Sequence, residues 1–222
     1  MLVLAIDTSG SGCAAAVYDG AAAEVLARAG ADIGRGHAER LMGFVDEALA
    51  ACGRQLSDID RIAVTIGPGS FTGIRVGVAA ARGLALALDK PAVGITTLQL
   101  VAEGARKGRP GRRLLAVIDA KRDEVYAQCF TALGAPEGEA EILPLAEARD
   151  RFSGFDGVIC GSGAALVASV ATIAGPDEID IALVGRLGAS ADPASAKPKP
   201  LYLRGPDAKP QTGFAVTRAT AG

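Results

Sequence analysis

The chain has 222 residues, half of them hydrophobic and 22% charged, with a formal net charge of −2. That apolar share excludes global disorder, and the near-neutral balance lacks the basic excess on which free nucleic-acid binding draws, because phosphate contacts supply most of that affinity. Aromatic residues make up only 4% and Trp is absent, so the core is expected to rest on close approach of Ala- and Gly-rich backbones.

Residues 2–6 form an apolar run that meets Asp7 at once, and the start has no basic region. It therefore reads as a buried strand rather than a signal peptide. Asp7-Thr8-Ser9-Gly10 is a tight turn into a second strand that ends at Asp19-Gly20, and residues 25–29 suit a third. Residues 37–52 carry apolar side chains at helical spacing (Leu41, Phe44, Val45, Ala48, Leu49) and stop at Gly53. The β-branched run 59–66 predicts a buried strand ending at Gly67-Pro68-Gly69. A second helix follows over 71–88, then a strand over 91–95 and a helix capped by Thr96 or Thr97. Arg82, Asp89, Lys90 and Pro91 interrupt the apolar stretch 76–95, which argues against a membrane span.

The Gly/Pro/Arg-rich segment 107–113 is the expected lobe boundary, giving an N-terminal lobe of residues 1–106 and a C-terminal lobe of residues 107–222. Residues 114–118, a charged turn at 119–123 and residues 125–130 echo the opening order of strand, Asp-led turn and strand. Residues 131–157 carry little signal. A strand over 157–160 leads into a Gly-rich turn and a helix, and another helix is expected near 178–189. An extended Pro-rich segment begins at about 192, and residues from Gln211 read as a tail.

Several motifs invite a chemical reading. The segment 67–77, with Gly67, Gly69, Gly73 and Gly77, lies between a strand and a helix, where backbone N–H groups can face an anion. It lacks the Lys-Ser/Thr ending of a phosphate-binding loop, and its third glycine falls one residue late for a dinucleotide fingerprint. A tight structural turn is the plainer reading. Asp119, Asp123 and Glu124 form an acidic group split by Lys121 and Arg122, as in solvated turns. His37 is the only histidine, so no histidine pair exists to hold a metal. Cys13, Cys52, Cys129 and Cys160 lie far apart without a CxxC pair, which supports neither zinc nor redox chemistry. No cofactor or metal is expected.

The stretches LAIDTSGSGCAAAVYDG, HAERLMGFVDEAL, IAVTIGPGSFTGIRVGVAAARGLALAL, KPAVGITTL, VIDAKRDEVY and LYLRGPDAKP together resemble the bacterial TsaB (YeaZ) family. The resemblance implies an α/β, two-lobed fold of the actin-like ATPase superfamily. It also implies a non-catalytic role in forming N6-threonylcarbamoyl-adenosine in tRNA, in the cytoplasm. The partners implied are the metal-containing paralogue TsaD and the ATPase TsaE, with tRNA met indirectly and self-pairing when TsaD is absent. By the same analogy His37, Leu41, Phe44 and Val45 of one helix and Phe71, Arg75, Val78 and Arg82 of the next face the partner. In the wider superfamily an Asp-led turn faces nucleotide phosphates, which marks Asp7, Thr8, Ser9 and Asp119 as a vestigial nucleotide pocket. The alternatives are an ATP-dependent small-molecule kinase, resting on Asp7 and Asp119, and a peptidase using Ser9, Ser11, Ser70 or Thr72.

Overall fold

The computed structural model describes residues 1–107, 109–168, 172–173 and 179–204. The expected tail from Gln211 lies outside the described residues, as does Glu178, the expected start of the last helix.

The first half runs β1 (Leu2–Asp7), β2 (Gly12–Asp19), β3 (Glu24–Asp32), α1 (His37–Ala51), β4 (Arg61–Thr65), α2 (Phe71–Leu88), β5 (Ala92–Ile95) and α3 (Thr97–Arg106). The second half runs β6 (Leu114–Lys121), β7 (Glu124–Phe130), β8 (Pro136–Pro144), α4 (Leu145–Arg151), β9 (Val158–Cys160), α5 (Ala164–Val167), β10 (Thr172–Ile173) and α6 (Ile181–Ser190). The two halves therefore repeat one order of elements. Their sheets also repeat one topology, β3-β2-β1-β4-β5 and, read from the matching edge, β8-β7-β6-β9-β10. In each sheet the first three strands are antiparallel and the last two join in parallel. The faint echo between the two Asp-led turns is thus the visible trace of a duplicated lobe.

Strands buried on both faces explain the uninterrupted apolar runs. In β1, Leu4 and Ile6 join the cluster formed by α1 and α2, while Val3 and Ala5 face the opposite way, with Val184 of α6. In the second sheet Leu115 and Val117 pack with α4 and α5, and Leu114, Ala116 and Ile118 pack with Leu98 and Ala102 of α3. Each sheet thus takes one covering helix from the other half of the chain. The expected boundary at 106/107 falls between the two sheets, while α3 packs on the second sheet and α6 on the first. The reason is burial, since the inner face of each sheet needs a cover that its own outer helices cannot reach. Glu103 of α3 joins the exchanged pair through Arg186 of α6 at 2.9 Å, and it also meets Arg106 at 3.0 Å. Burial raises the Glu103 carboxyl, but the two guanidinium groups outweigh it and hold it below the usual range.

Two elements lie in the stretch that the sequence left blank. β8 (PEGEAEILP) is an edge strand, half-exposed and acidic, and α4 is a short helix with only Ala148 buried. The segment from 192 begins in a turn, with Ser195 N and Ala196 N both donating to Asp192 O, and then runs along the first lobe before reaching the second. Gly94 N donates to Ala196 O at 2.9 Å and Leu201 N to Ile66 O at 2.8 Å. Arg204 then donates to Ala120 O at 3.0 Å and pairs with Glu124 in the β6–β7 hairpin.

The docking of α6 depends on Arg61. Its Nη1 donates to the carbonyls of Gly188, Ala189 and Ala191 at 2.8, 3.0 and 2.8 Å, placing a cation on the negative end of the helix. Arg61→Met keeps the apolar stem and removes these bonds. The variant is expected to lose about 2 kcal/mol of stability, from the 1.5–3 kcal/mol typical of hydrogen bonds to charged groups. Urea denaturation followed by circular dichroism measures it; an unchanged midpoint would refute the capping role.

Candidate functional site

The Asp7 turn and the glycine loop meet at the carboxyl ends of β1 and β4. Asp7, Thr8 and Ser9 are all buried. Asp7 Oδ1 accepts from Ser9 N at 3.1 Å and Ser9 Oγ at 2.7 Å. Burial is the largest influence on this carboxyl and raises it above the usual 3.8, although its bonds with Ser9 pull the other way. The Thr65 hydroxyl makes no hydrogen bond of good geometry, yet it lies near enough to Asp7 to favour its charged form. Thr8 Oγ1 donates to Gly73 O at 2.8 Å.

The loop glycines answer a packing demand. A methyl group at 69 would overlap the carbonyl oxygen of Ser9, one at 73 the carbonyl oxygen of Thr8, and one at 77 the Thr8 hydroxyl. The backbone of the first turn occupies the space that an anion would need. Ser70 N donates to Ser9 O at 2.7 Å, and the side chain of Ser70 caps α2 by accepting from Gly73 N at 3.2 Å. These two donors at the helix start are already used. A nucleotide phosphate does not fit this loop.

The second lobe repeats the arrangement at its equivalent corner. Asp119 stands near the end of β6 as Asp7 stands at the end of β1. There the loop after β9 packs on the β6 backbone, where a methyl at Gly161 would overlap Val117 O. Asp119 N donates to Ser162 Oγ at 3.0 Å. The Asp119 carboxylate is bound by Lys121 Nζ at 2.6 Å and Lys121 N at 2.8 Å, and the ammonium group holds it below the usual carboxylate range. A cavity of about 690 Å³ opens beside Asp7, bordered also by Ser11, Cys13, Arg28, Asp32 and Ile181. Thr8, Ser9 and Asp119 are not among its described lining, so the four residues of the supposed nucleotide pocket do not converge on it. His37 Nε2 lies 3.2 Å from Gly10 O, and Ser9 Oγ donates to Asp7. Neither group is set against the other as a nucleophile and base would be.

The partner-facing set divides sharply. Phe71, Arg75 and Arg82 lie on the solvent side of α2. His37, Leu41, Phe44 and Val45 of α1 and Val78 of α2 are buried, four of these five in the cluster that seats both helices on the sheet. They are a core face, and the correction is physical: amphipathic spacing marks a stripe without saying which side of the helix is covered. The outer surface of α1 instead includes Glu39, Arg40, Met42, Gly43, Asp46 and Glu47 together with Ala38, Ala50 and Ala51, with Met42 40% exposed.

Among the exposed positions of α2, residues 71, 75, 79, 82, 83 and 86 form one stripe, with Thr72 and Ala87 exposed beside it and with Phe71 at 50% and Leu86 at 87% exposure. By length and apolarity α2 would span a membrane, with 18 residues at a mean hydropathy of 1.4. Its Gly73, Ile74, Gly77, Val78 and Ala81 are packed in the lobe, which makes it a core helix whose outer side is unusually apolar.

Two lobes of one topology, each with an Asp-led turn against a glycine loop and with exchanged inner helices, define the two-lobed actin-like ATPase fold. Residues 31–140 match the family model described as TsaD, tRNA N6-adenosine threonylcarbamoyltransferase. The chain is 38% identical over 126 residues to the tRNA threonylcarbamoyladenosine biosynthesis protein TsaB of Escherichia coli, a match covering 57% of this chain and 53% of that protein. It is also 48% identical over 83 residues to a tRNA N6-adenosine threonylcarbamoyltransferase of Jannaschia, covering 37% of this chain and 21% of that protein. The match to the E. coli protein thus spans about half its length. The solved structure of YeaZ from Pseudomonas aeruginosa superposes with a TM-score of 0.74 at 30% identity, covering 91% of this chain and 99% of that one. The chain belongs to the TsaB (YeaZ) family.

Two substitutions test the packing account of the loop. Gly73→Ala places its methyl on backbone and is expected to destabilise the fold by about 1–3 kcal/mol or more. Gly83→Ala on the same helix meets nothing within 4 Å and is expected to stabilise by about 0.8–1 kcal/mol through helix propensity. Thermal denaturation of both variants checks the contrast; equal effects would overturn it.

The pH dependence of Asp7 is a separate test. Its folded-state pKa lies above the unfolded value, so the folded state binds the proton more tightly. Its contribution is complete below the unfolded value of 3.8 and is lost as pH rises through the raised folded value. Asp7→Asn preserves the acceptor for Ser9 and abolishes ionisation. The stability of this variant relative to the parent chain is expected to increase as pH rises above 3.8. A difference that stays flat with pH in denaturation curves would refute the burial account.

Proposed function

We propose that the chain is a non-catalytic partner subunit in tRNA N6-threonylcarbamoyl-adenosine formation. It binds the TsaD-type transferase and acts beside the TsaE-type ATPase, in the cytoplasm, and meets tRNA through the assembled complex. The observation that carries this reading is the outer side of α2, where Phe71, Ala79, Gly83 and Leu86 lie exposed beside Arg75 and Arg82, next to a charged helix, and which the described residues leave uncovered. Contiguous exposed apolar surface of this kind marks interaction sites. The fate of the two Asp-led turns supports the same reading, because their hydrogen-bonding capacity is largely spent on their own backbone and on Lys121. The family match to a transferase paralogue supplies the chemistry of the pathway, and the relatives named for the same biosynthesis supply the role.

On this reading the partner meets Phe71, Arg75, Ala79, Arg82 and Leu86 of α2 and the Met42 side of α1. The same face pairs the chain with a second copy when the transferase is absent. Ala79→Arg combined with Leu86→Asp is expected to abolish co-purification with the transferase while the circular dichroism spectrum and melting temperature stay unchanged. By contrast, Phe44→Asp or Val78→Asp is expected to unfold the lobe, since each buries an unpaired charge. A folded double variant that still binds would disprove the docking face. The role itself is tested by reconstituting modification of tRNA with and without the chain; full modification in its absence overturns the proposal.

A further inference from the structure

At the amino-terminal end of the α2 stripe, three side chains from two distant segments form one cluster. The Arg75 guanidinium lies over the Phe71 ring at 3.9 Å from its centroid, and its Nε donates to Tyr202 Oη at 2.8 Å. The Phe71 and Tyr202 rings are 5.4 Å apart and tilted by 38°. Tyr202 comes from the extended segment after α6, fixed one residue earlier by Leu201 N donating to Ile66 O at 2.8 Å. Both rings are about half exposed, Phe71 at 50% and Tyr202 at 47%.

We infer that Arg75 is a pre-set receptor for a carboxylate of the docking partner, and that Tyr202 is the residue that positions it. An exposed arginine ordinarily samples many rotamers, and fixing it on binding costs entropy. Here stacking on Phe71 fixes the plane of the guanidinium and Tyr202 fixes its rotation. Among the described residues neither η nitrogen of Arg75 has a hydrogen-bond or ion-pair partner. The edge bearing them is the fork that matches a carboxylate with two parallel bonds. Flanking rings exclude water from part of that contact and leave the charge complementarity intact. Lysine supplies the same charge without the fork or the flat stacking surface, so the two are not equivalent here. The inference rests on the docking face proposed above and names the chemistry at one end of it.

The test measures the affinity of the full chain for the TsaD-type partner by calorimetry, with Arg75→Lys, Tyr202→Phe and Leu86→Asp as separate variants. Arg75→Lys is expected to weaken binding by about tenfold or more, the loss typical of a bidentate pair. Tyr202→Phe retains the ring and loses only the hydroxyl, and is expected to weaken binding by about three- to tenfold. Both variants are expected to melt with the parent chain. Parent-like affinity in both, with the complex lost in Leu86→Asp, overturns the carboxylate receptor and leaves the docking face standing. Parent-like affinity in all three overturns both readings. Changes confined to self-association, with affinity for the partner unchanged, also overturn the receptor.

Discussion

The backbone of Thr8 and Ser9 lies so close to the start of α2 that no side-chain carbon fits between them. This close approach, with the Thr8 hydroxyl against position 77, dictates the glycines at 69, 73 and 77, sets the position of α2 on the sheet, and takes up the N–H of Ser70, while that of Gly73 is taken by the Ser70 side chain. It also decides what the loop is for. A glycine loop that cradles a phosphate keeps its N–H groups turned toward empty space. Here they turn toward the neighbouring turn of the same chain. The glycine-rich sequence is compatible with both arrangements, and only the location of the Asp7 turn separates them.

The second constraint is the exchange of inner helices between the lobes. Neither lobe can bury its inner sheet face alone: Val3, Ala5, Ala16 and Ala63 wait for α6, and Leu114, Ala116 and Ile118 wait for α3. The two halves are therefore coupled through one layer. Glu103 to Arg186 joins the two helices within it, and Arg61 holds the far end of α6. The extended segment adds a further tie, passing Gly94 and Ile66 before Arg204 reaches the β6–β7 hairpin. That hairpin holds Lys121, Arg122 and Asp123 at positive φ, from 57° to 61°. Consecutive left-handed residues with side chains are costly. The contacts from Arg204 to Ala120 and Glu124 hold the hairpin from outside.

Much of the fold was legible in the sequence where one physical rule acted alone. The runs at 2–6, 59–66 and 114–118 read as strands because both of their faces are buried, and Thr96 and Gly53 mark helix ends through local chemistry. The legibility failed where the answer depended on distant residues. β8 alternates Glu137, Glu139 and Glu141 with Gly138, Ala140 and Ile142, but residues as small as 138 and 140 give that alternation little apolar face to announce a strand. The location of α3 and α6 depends on which sheet lacks a cover, and no local pattern encodes that. Site residues divided in the same way. Phe71, Arg75 and Arg82 are exposed, whereas His37, Leu41, Phe44, Val45 and Val78 are buried on the opposite sides of their helices. A helical stripe gives a period, and the period is the same for a face turned inward and a face turned outward. The missing signal was available in α2 alone: its mean hydropathy of 1.4 exceeds what one buried face requires, so apolar residues had to remain outside. Tyr202 carried no such signal, because its role arises from a segment that returns across the chain to Arg75.

One corner of the first lobe therefore serves two purposes at once. The inner side of α2 is pressed onto the backbone of the Asp7 turn, filling the space in front of the glycine loop. The same pressure holds the outer side of α2 rigid, with Phe71 and Arg75 at its first turns and Tyr202 brought across to meet them. A binding surface built on a helix that cannot move relative to its sheet loses little freedom when a partner arrives. In this lobe the filled glycine loop and the exposed side of α2, the proposed docking face, are consequences of a single packing decision.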